Sequence, residues 1–266
     1  MIKLQRIAAL AVGCALPFAA VSPVAAKAPP PGADADTTET TDADADAADA
    51  EAETETETEE DTAADLVLRP GDRGAVVKAL QRRLHAGHYY YGKIHGVYDE
   101  QTKFAVWALQ KSRRMIPKGE VGPKVWKALE RPMRRRPLVP GGAADRVEIS
   151  LREQLLTVYR KRRPVLYSHI STGAEVRYCE GGRCGTAITP VGDFRVQSRA
   201  PGWTTGRLGS MFNSLYFTGA IAMHGSTKVP LHPASHGCVR LPLETSKRLY
   251  EIVKVGEPVY VRGQIR

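Results

Sequence analysis

The stretch Pro233-Ala234-Ser235-His236-Gly237-Cys238-Val239-Arg240, near the carboxyl end of the 266-residue chain, places a cysteine within fifteen residues of an upstream Met223-His224-Gly225-Ser226. A thiol becomes a good nucleophile where a nearby base or cation favours its thiolate, and a hairpin-like return of the chain would bring His224 to Cys238. Gly237 allows a tight turn, so that the amides of Gly237 and Cys238 could face a developing oxyanion. These residue types predict a thiol acyl-transfer site.

A zinc site is the alternative interpretation of the same stretch. His224, His232, His236 and Cys238 would supply enough nitrogen and sulfur ligands for a tetrahedral ion. However, no Asp or Glu lies between Val196 and Leu243, so a metal hydrolase would have to take its general base from elsewhere. The structural interpretation stays open too, because a lone cysteine is usually a small buried hydrophobe and Ser235 could simply cap a turn.

Around this stretch, apolar residues alternate with polar ones from Arg146 onward, which is typical of short strands. The alternating segments are 147–151, 155–159, 165–173, 194–196, 221–223 and 259–261, and only about Thr245 to Val253 is expected to be helical. The sequence therefore predicts a mainly antiparallel β domain over residues 146–262.

Residues 66–130 show the three- to four-residue apolar spacing of amphipathic helices instead. We expect a first helix capped by Asp72 and carrying Val77, Leu80 and Leu84, a second over Glu100 to Lys111, and a third over Gly122 to Leu129. The predicted fold class is thus a multidomain α+β chain, with a small all-α three-helix bundle preceding the β domain. Residues 131–145, with three consecutive arginines, prolines and Gly141-Gly142, are predicted to form a basic hinge.

The first 26 residues have a basic start, an uncharged Ala-rich stretch and small residues before Lys27, which together predict a cleaved secretory signal peptide. An uncleaved anchor and a lipidated Cys14 are the alternatives. Residues 27–65 follow, and 15 of the 29 acidic side chains lie in 33–65 without a single base, which predicts a disordered acidic linker. We therefore expect an exported protein of the cell wall or periplasm, with no stable membrane span after cleavage.

The charge balance of the remaining chain indicates the class of partner. From Leu66 onward there are 35 Lys and Arg against 14 Asp and Glu, a net charge of +21 that attracts polyanions. Export argues against nucleic acid as the partner and favours anionic wall polymers.

Cys179 and Cys184 flank the short segment Glu180-Gly181-Gly182-Arg183. Because an oxidising compartment is expected, the preferred interpretation is a disulfide that closes this small loop. Such a loop would contribute only about 2 kcal/mol in the chain-entropy model, so it would shape the local loop more than hold the domain together.

The block Ser235-His236-Gly237-Cys238, with the upstream His224-Gly225-Ser226, resembles the signature of the L,D-transpeptidase (YkuD-like) catalytic domain over residues 146–262. The resemblance implies that Cys238 is the nucleophile and that His224 accepts and donates the proton. It implies further that the carbonyl of Gly225 orients the imidazole, and that His236, Ser235 and Gly237 complete the site.

The same resemblance suggests where substrate is bound. Arg240 would clamp a substrate carboxylate or support the loop, and Tyr216 and Met211 fall where the family places a lid or substrate-lining segment. Met223, which precedes the histidine, is the fourth substrate-binding candidate. The residues named require no cofactor and no metal.

The reaction implied by the resemblance is acyl transfer on peptidoglycan stem peptides. Cys238 would form a thioester with a tetrapeptide stem, the terminal D-alanine would leave, and an amine of a neighbouring stem would resolve the thioester into a 3-3 crosslink. The competing hypotheses are a zinc-dependent wall peptidase and a catalytically inactive wall-binding protein.

The helical region carries a second resemblance, through Gly71-Asp72-Arg73-Gly74, Leu80-Gln81 and Gly96-Val97-Tyr98. Residues 66–130 are similar to the three-helix peptidoglycan-binding domain found beside many wall enzymes, although Gly122-Pro123 departs from the usual pattern. The implied ligand is the wall glycan, and Tyr89, Tyr90 and Tyr91 are the expected sugar-stacking surface.

Overall fold

The computed structural model of the chain describes residues 66–132, 135–180 and 182–265, without the side chain of Arg183. The predicted signal peptide at 1–26 and the predicted acidic linker at 27–65 lie outside the described residues. Over the described ranges, no helix combines the length and the apolar character that crossing a membrane requires.

The helical domain contains three helices, as the apolar spacing predicts. They are α1 (Ala75–Ala86), α2 (Glu100–Ser112) and α3 (Pro123–Glu130). The Asp99 side chain caps α2 by accepting from the Thr102 amide at 2.8 Å. The expectation that Asp72 caps α1 is wrong, because its carboxylate accepts from the Arg69 amide at 2.7 Å and closes the preceding turn, and Gly74 stands at the N-cap instead.

In the residues described, the second domain is built from eleven strands and one helix. The strands are β1 (Arg146–Ser150), β2 (Leu155–Arg160), β3 (Arg163–His169), β4 (Arg177–Glu180), β5 (Arg183–Thr186), β6 (Gly192–Arg195), β7 (Ser198–Gly206), β8 (Gly209–Thr218), β9 (Ile221–Gly225), β10 (Val239–Leu241) and β11 (Pro258–Arg262), and the helix is α4 (Leu243–Ile252). Its single helix lies where the sequence predicts it.

Two sheets enclose the core of this domain. One has five strands in the order β3-β2-β1-β11-β6, the other has four in the order β10-β9-β8-β7, and β4 and β5 form a separate hairpin. The pairings are antiparallel except β1 with β11 and β9 with β10. Fully buried Val, Ile, Leu, Phe and Met side chains from both larger sheets and α4 form one apolar cluster. The predicted mainly antiparallel architecture is confirmed.

The expectation of an exposed sugar-stacking surface at Tyr89, Tyr90 and Tyr91 is wrong. Tyr89 and Tyr90 are only 4% and 2% exposed. Tyr89 stacks on Tyr167 of β3 with ring centroids 5.0 Å apart, and the Tyr91 hydroxyl donates to the Val165 carbonyl at 3.0 Å. The apolar ring and single hydroxyl of tyrosine suit a domain junction as well as a sugar-stacking surface. Here Tyr89 and Tyr91 join the helical domain to the β domain.

The segment at 131–145 does not behave as a free hinge in the residues described. Glu148 of β1 accepts the amides of Leu138 and Val139 at 2.8 and 3.3 Å, and the same carboxylate pairs with the buried Arg146 guanidinium at 2.8 Å. The Ala143 amide donates to the Tyr260 hydroxyl at 3.2 Å. The segment is therefore fastened to the β domain along much of its length.

Candidate active site

His224 and Cys238 lie on adjacent chain segments because β9 and β10 are parallel neighbours. In the register of this pair, Arg240 lies opposite His224 and Val239 lies opposite Met223. Side chains two residues apart along an extended chain share a face of the sheet. Cys238, directly before β10, therefore shares a face with Arg240 and His224. The expectation of a hairpin-like return is wrong, because the two strands run parallel and the chain must cross back before β10 begins.

The hydrogen bond of His224 fixes which ring nitrogen carries the proton. Its Nδ1 lies 2.9 Å from the Gly225 carbonyl oxygen, which can only accept, so Nδ1 is the donor. Nε2 is left with its lone pair and can take up a proton. Burial lowers the pKa of His224 to about 4, and the nearby charge of Arg240 acts in the same direction. The imidazole is therefore neutral, and ready to act as a base, at physiological pH.

Cys238 carries a free and partly accessible thiol. Its Sγ donates to the Ala220 carbonyl oxygen at 3.8 Å. Burial raises the pKa of the thiol, while the Ala222 amide and the Arg240 charge partly offset that rise. At neutral pH the resting site thus holds a neutral thiol and a neutral imidazole on one face of the sheet, rather than a thiolate–imidazolium pair.

This resting state predicts an unusual pH profile for alkylation by iodoacetamide. Because the pKa of the Cys238 thiol is raised above its ordinary 9.0, the thiolate fraction at pH 7 is below that of a free thiol. We expect alkylation of Cys238 to be slower than that of glutathione at pH 7 and to rise without a plateau up to pH 9. Timed quenching followed by mass spectrometry measures this rate. A plateau extending from about pH 5 upward would reveal an ion pair and contradict the assignment.

Ser235 organises the turn that presents the thiol. Its Oγ donates to the Cys238 carbonyl oxygen at 2.5 Å and accepts the Gly237 amide at 3.0 Å. The expectation that the Gly237 amide is free to face an oxyanion is therefore wrong for this state, because Ser235 already occupies it. Gly237 itself has φ +134°, and a Cβ at this position would lie 2.8 Å from the Ile188 carbonyl oxygen.

Thr189 is a buried support of this turn that sequence reasoning missed. Its Oγ1 donates to the Gly237 carbonyl oxygen at 2.7 Å and accepts the Gly173 amide at 2.9 Å. An isolated threonine 48 residues before Gly237 gives no sequence signal for this role. Only the tertiary fold brings it to the turn.

His236 points to the β4–β5 hairpin rather than to His224. Its Nε2 lies 3.3 Å from a Glu180 carboxylate oxygen, and its ring packs edge-on against Tyr178 with centroids 4.6 Å apart. Cys179 and Cys184 form a disulfide across this hairpin, with Cα atoms 4.0 Å apart. The disulfide-closed hairpin thus packs against His236, on one side of the turn at 234–238. Sequence reasoning missed the two residues that make this contact, Tyr178 and Glu180.

The disulfide makes a labelling prediction. When the non-reduced protein is treated with an alkylating agent under denaturing conditions, we expect Cys238 to be labelled and both Cys179 and Cys184 to be unlabelled. Peptide mapping by mass spectrometry distinguishes the three positions. After reduction all three should label, and labelling of Cys179 before reduction would show that the bridge is absent.

The four substrate-binding candidates fall in different environments. Tyr216 of β8 lies opposite Ala222 and is half-buried, so its side chain shares the face of His224. The Arg240 backbone is held by reciprocal hydrogen bonds to Ser171 at 2.9 and 3.1 Å. Met211 lies further toward the β7–β8 turn, and its contact with substrate stays a prediction. The expectation for Met223 is wrong, because its side chain is fully buried in the core on the opposite face.

The structure does not gather the ligands that the zinc interpretation names. Among the residues it describes, no group of three or more His, Cys, Asp and Glu side chains is placed to share a metal ion. His236 turns toward Glu180, and His232 is exposed. The donor set therefore does not fit a tetrahedral metal centre in this conformation.

Comparison with known proteins agrees with this geometry. Residues 144–261 match the L,D-transpeptidase catalytic domain family, and residues 73–129 match a peptidoglycan binding domain family. A crystal structure of an L,D-transpeptidase from Xylanimonas cellulosilytica is 35% identical, with a TM-score of 0.68, and the match covers 73% of this chain and 97% of that one. A search of curated proteins gave no significant match.

Two further solved structures resemble the chain more distantly. An L,D-transpeptidase from Stackebrandtia nassauensis is 21% identical, with 74% and 96% of the two chains covered and a TM-score of 0.42. A fused zinc-dependent amidase/peptidase with a peptidoglycan-binding domain, from Clostridium acetobutylicum, is 18% identical, with 74% and 100% covered and a TM-score of 0.37. At these TM-scores neither decides the assignment, which rests on the matched domain families and the Xylanimonas structure. The chain belongs to the L,D-transpeptidase family and is an enzyme of that family with an upstream peptidoglycan-binding domain.

Proposed function

We propose that the protein forms peptidoglycan crosslinks through a thioester on Cys238, with a tetrapeptide stem as acyl donor. The single observation that carries this proposal is the pairing of β9 with β10, which sets Cys238 and His224 on one face while Gly225 holds the imidazole by Nδ1. A nucleophile beside a base that a third group orients is the arrangement covalent acyl transfer needs.

The first half-reaction is acylation. As the Cys238 sulfur attacks the carbonyl carbon of the third stem residue, its proton passes to Nε2 of His224 and a tetrahedral oxyanion forms. Collapse of this intermediate breaks the bond to the terminal D-alanine, whose amine takes the proton from the imidazolium. The low pKa of His224 favours this proton return, because a weakly basic imidazole readily releases its proton to a leaving amine.

The second half-reaction restores the thiol. An amine on the third residue of a neighbouring stem attacks the thioester carbonyl carbon, His224 removes a proton from the attacking nitrogen, and the carbon–sulfur bond breaks. The proton then returns to the Cys238 sulfur. The product is a 3-3 crosslink, whereas water in place of the amine would give carboxypeptidase activity.

The remaining site residues act on charge and orientation. The backbone amide of Cys238 stabilises the oxyanion, and the Gly237 amide joins it only if Ser235 releases its hydrogen bond. Arg240 is half-buried on the active face, where a guanidinium can pair with a substrate carboxylate. Tyr216 and Met211 line the side of the substrate path formed by β8, and His236 supports the turn from the hairpin side.

The upstream domain adds affinity for the wall. We propose that residues 66–130 bind peptidoglycan glycan and that the net charge of +21 from Leu66 onward retains the enzyme on anionic wall polymers. Both require export, which the signal peptide predicted at 1–26 would provide. Because Tyr89 and Tyr90 are buried, the glycan surface must lie elsewhere on the helical domain.

Incubation with purified tetrapeptide stems tests the proposal. Mass spectrometry of the products should show released D-alanine together with a crosslinked dimer that has lost one alanine, and the protein should need no added metal. Release of alanine without a dimer would indicate carboxypeptidase activity and no crosslinking. Complete loss of product on chelation would instead support a zinc peptidase, and no product at all would support an inactive wall-binding protein.

A further inference from the structure

The helical domain reaches into the catalytic domain through one face of α2. The rings of Phe104 and Trp107 lie 5.7 and 5.1 Å from the ring of His169, which ends β3. One helical turn further on, Lys111 extends its amine into the same junction and is only 8% exposed. A long cationic side chain is rarely buried to this degree unless hydrogen bonds offset its desolvation.

The amine of Lys111 has two acceptors, both on the catalytic domain. Nζ donates to the Gln154 carbonyl oxygen at 3.0 Å and to Nδ1 of His169 at 2.7 Å. His169 Nε2 lies 3.0 Å from the Val229 carbonyl oxygen, so Nε2 carries the proton and Nδ1 accepts. Burial lowers the pKa of Lys111 to about 7, and an amine can donate two hydrogen bonds in either protonation state.

From Gln154 the hydrogen bonds continue to the catalytic turn. The Gln154 side chain donates to Thr172 Oγ1 at 2.8 Å and accepts the Thr172 amide at 2.9 Å. The Thr172 carbonyl oxygen accepts the amides of Ala234 and Ser235, each at 2.9 Å. Ser235 Oγ in turn holds the Cys238 carbonyl, which completes a continuous path from the helical domain to the nucleophile.

A second set of hydrogen bonds reaches the same turn through the segment that precedes it. Val229 lies in the segment between β9 and the catalytic turn and is 3% exposed. Because His169 Nε2 donates to the Val229 carbonyl oxygen, the imidazole ties this segment to the junction where Lys111 and the aromatic rings of α2 enclose it. Both sets of hydrogen bonds therefore begin at Lys111.

We propose that Lys111 is a positioning residue, through which the helical domain sets the geometry of the catalytic turn at 234–238. This inference rests on the proposed acyl transfer for its kinetic consequence, although its structural consequence can be measured without it. The helical domain thus has a second role beside wall binding: it completes the support of the active site, which explains why the junction is packed and hydrogen-bonded rather than loosely linked.

The test compares Lys111→Met in the full chain with a matched control, Lys127→Met. Methionine keeps the length and apolar stem of Lys111 but removes both hydrogen bonds, whereas Lys127 lies exposed on α3. We expect Lys111→Met to slow acylation of Cys238 by a tetrapeptide stem about 10- to 100-fold, because small displacements of reacting groups cost that much. Alkylation by iodoacetamide, which needs no oxyanion site, should change less than twofold, and Lys127→Met should match wild type in both assays.

Hydrogen exchange provides the readout that does not depend on activity. We call the hydrogen-bond path from Lys111 to the turn at 234–238 the relay. It predicts faster exchange of the Ala234 and Ser235 amides in Lys111→Met than in wild type or Lys127→Met, with the exchange rates of the helices unchanged. If these amides exchange faster in Lys111→Met but the wild-type protein is not acylated at Cys238, the relay is supported and the proposed function is refuted. Normal exchange together with wild-type acylation in Lys111→Met would overturn the relay and leave the function standing.

A double-mutant cycle of Lys111→Met with Thr172→Val tests whether the two residues act along one path or independently of each other. Valine lacks the Oγ1 atom that accepts the hydrogen bond from the Gln154 side chain, in the middle of the path. If Lys111 acts through Gln154 and Thr172, the double variant should lose clearly less acylation rate than the product of the two single losses. Multiplicative losses would contradict action along this path. If Lys111→Met does not fold, Thr172→Val alone is expected to show the same split between acylation and alkylation, and equal loss of both would overturn the proposal.

Discussion

His224→Ala is expected to lower the rate of Cys238 acylation about 100- to 10,000-fold while the fold is retained. In the proposed reaction the imidazole takes the thiol proton: Nδ1 is bound to Gly225, which leaves the Nε2 lone pair to accept that proton, and the pKa of the thiol is raised. Without His224 the thiol loses the base that the proposed reaction assigns to it, since the Ala220 carbonyl oxygen can accept a hydrogen bond but not take up the proton. Timed-quench mass spectrometry with a tetrapeptide stem measures the rate.

The matched control for this variant is His232→Ala, which removes an exposed imidazole near the same turn. Its acylation rate should equal that of wild type, because the His232 backbone carbonyl, which accepts from Ser171, is retained in this variant. An equal loss in both histidine variants would indicate a shared ligand role, as the zinc interpretation requires. A folded His224→Ala protein with normal acylation would show that another group serves as the base.

Gly237→Ala should be almost as damaging, for a steric reason. The added Cβ would lie 2.8 Å from the Ile188 carbonyl oxygen, and φ +134° is a conformation that alanine adopts only with strain. The turn must therefore shift, which would break the hydrogen bonds of its amide to Ser235 and of its carbonyl to Thr189. We expect acylation to fall at least about 100-fold.

Gly141→Ala is the control for this glycine. No heavy atom would lie within 4 Å of the new Cβ, and its φ lies outside the range that strains alanine. Acylation and the melting temperature of this variant should match wild type, whereas Gly237→Ala should lower both. Wild-type acylation in Gly237→Ala would mean that the turn adapts, and that its observed geometry is not required.

Much of the fold follows from patterns that are local in the sequence. The apolar spacing in α1 and α2 and the alternation around Val147 reflect periodicities of 3.6 and 2, which a linear sequence displays directly. The closeness in sequence of Cys238 and His224 also indicated that they share a site, although the parallel pairing of β9 with β10 was not foreseen. Local chemistry decides these elements, so they can be recognised without the structure.

What sequence reasoning missed depends on contacts between distant segments. Tyr89 was expected on the surface because tyrosine suits sugar stacking, but Tyr167 covers it from a strand 78 residues later. Met223 adjoins His224 in the sequence, yet neighbours along a strand face opposite ways, so that its side chain lies in the core instead of the substrate site. Thr189 and Lys111 carry no motif at all, since each acquires its role only when the domains pack.

The most direct test of the central claim is peptide-mapped mass spectrometry of the full-length protein quenched during turnover with a tetrapeptide stem. The account predicts one acyl group, equal to the stem without its terminal D-alanine, on Cys238, and none on Cys238→Ala. An acyl group on another residue, or crosslinking by Cys238→Ala, would contradict it.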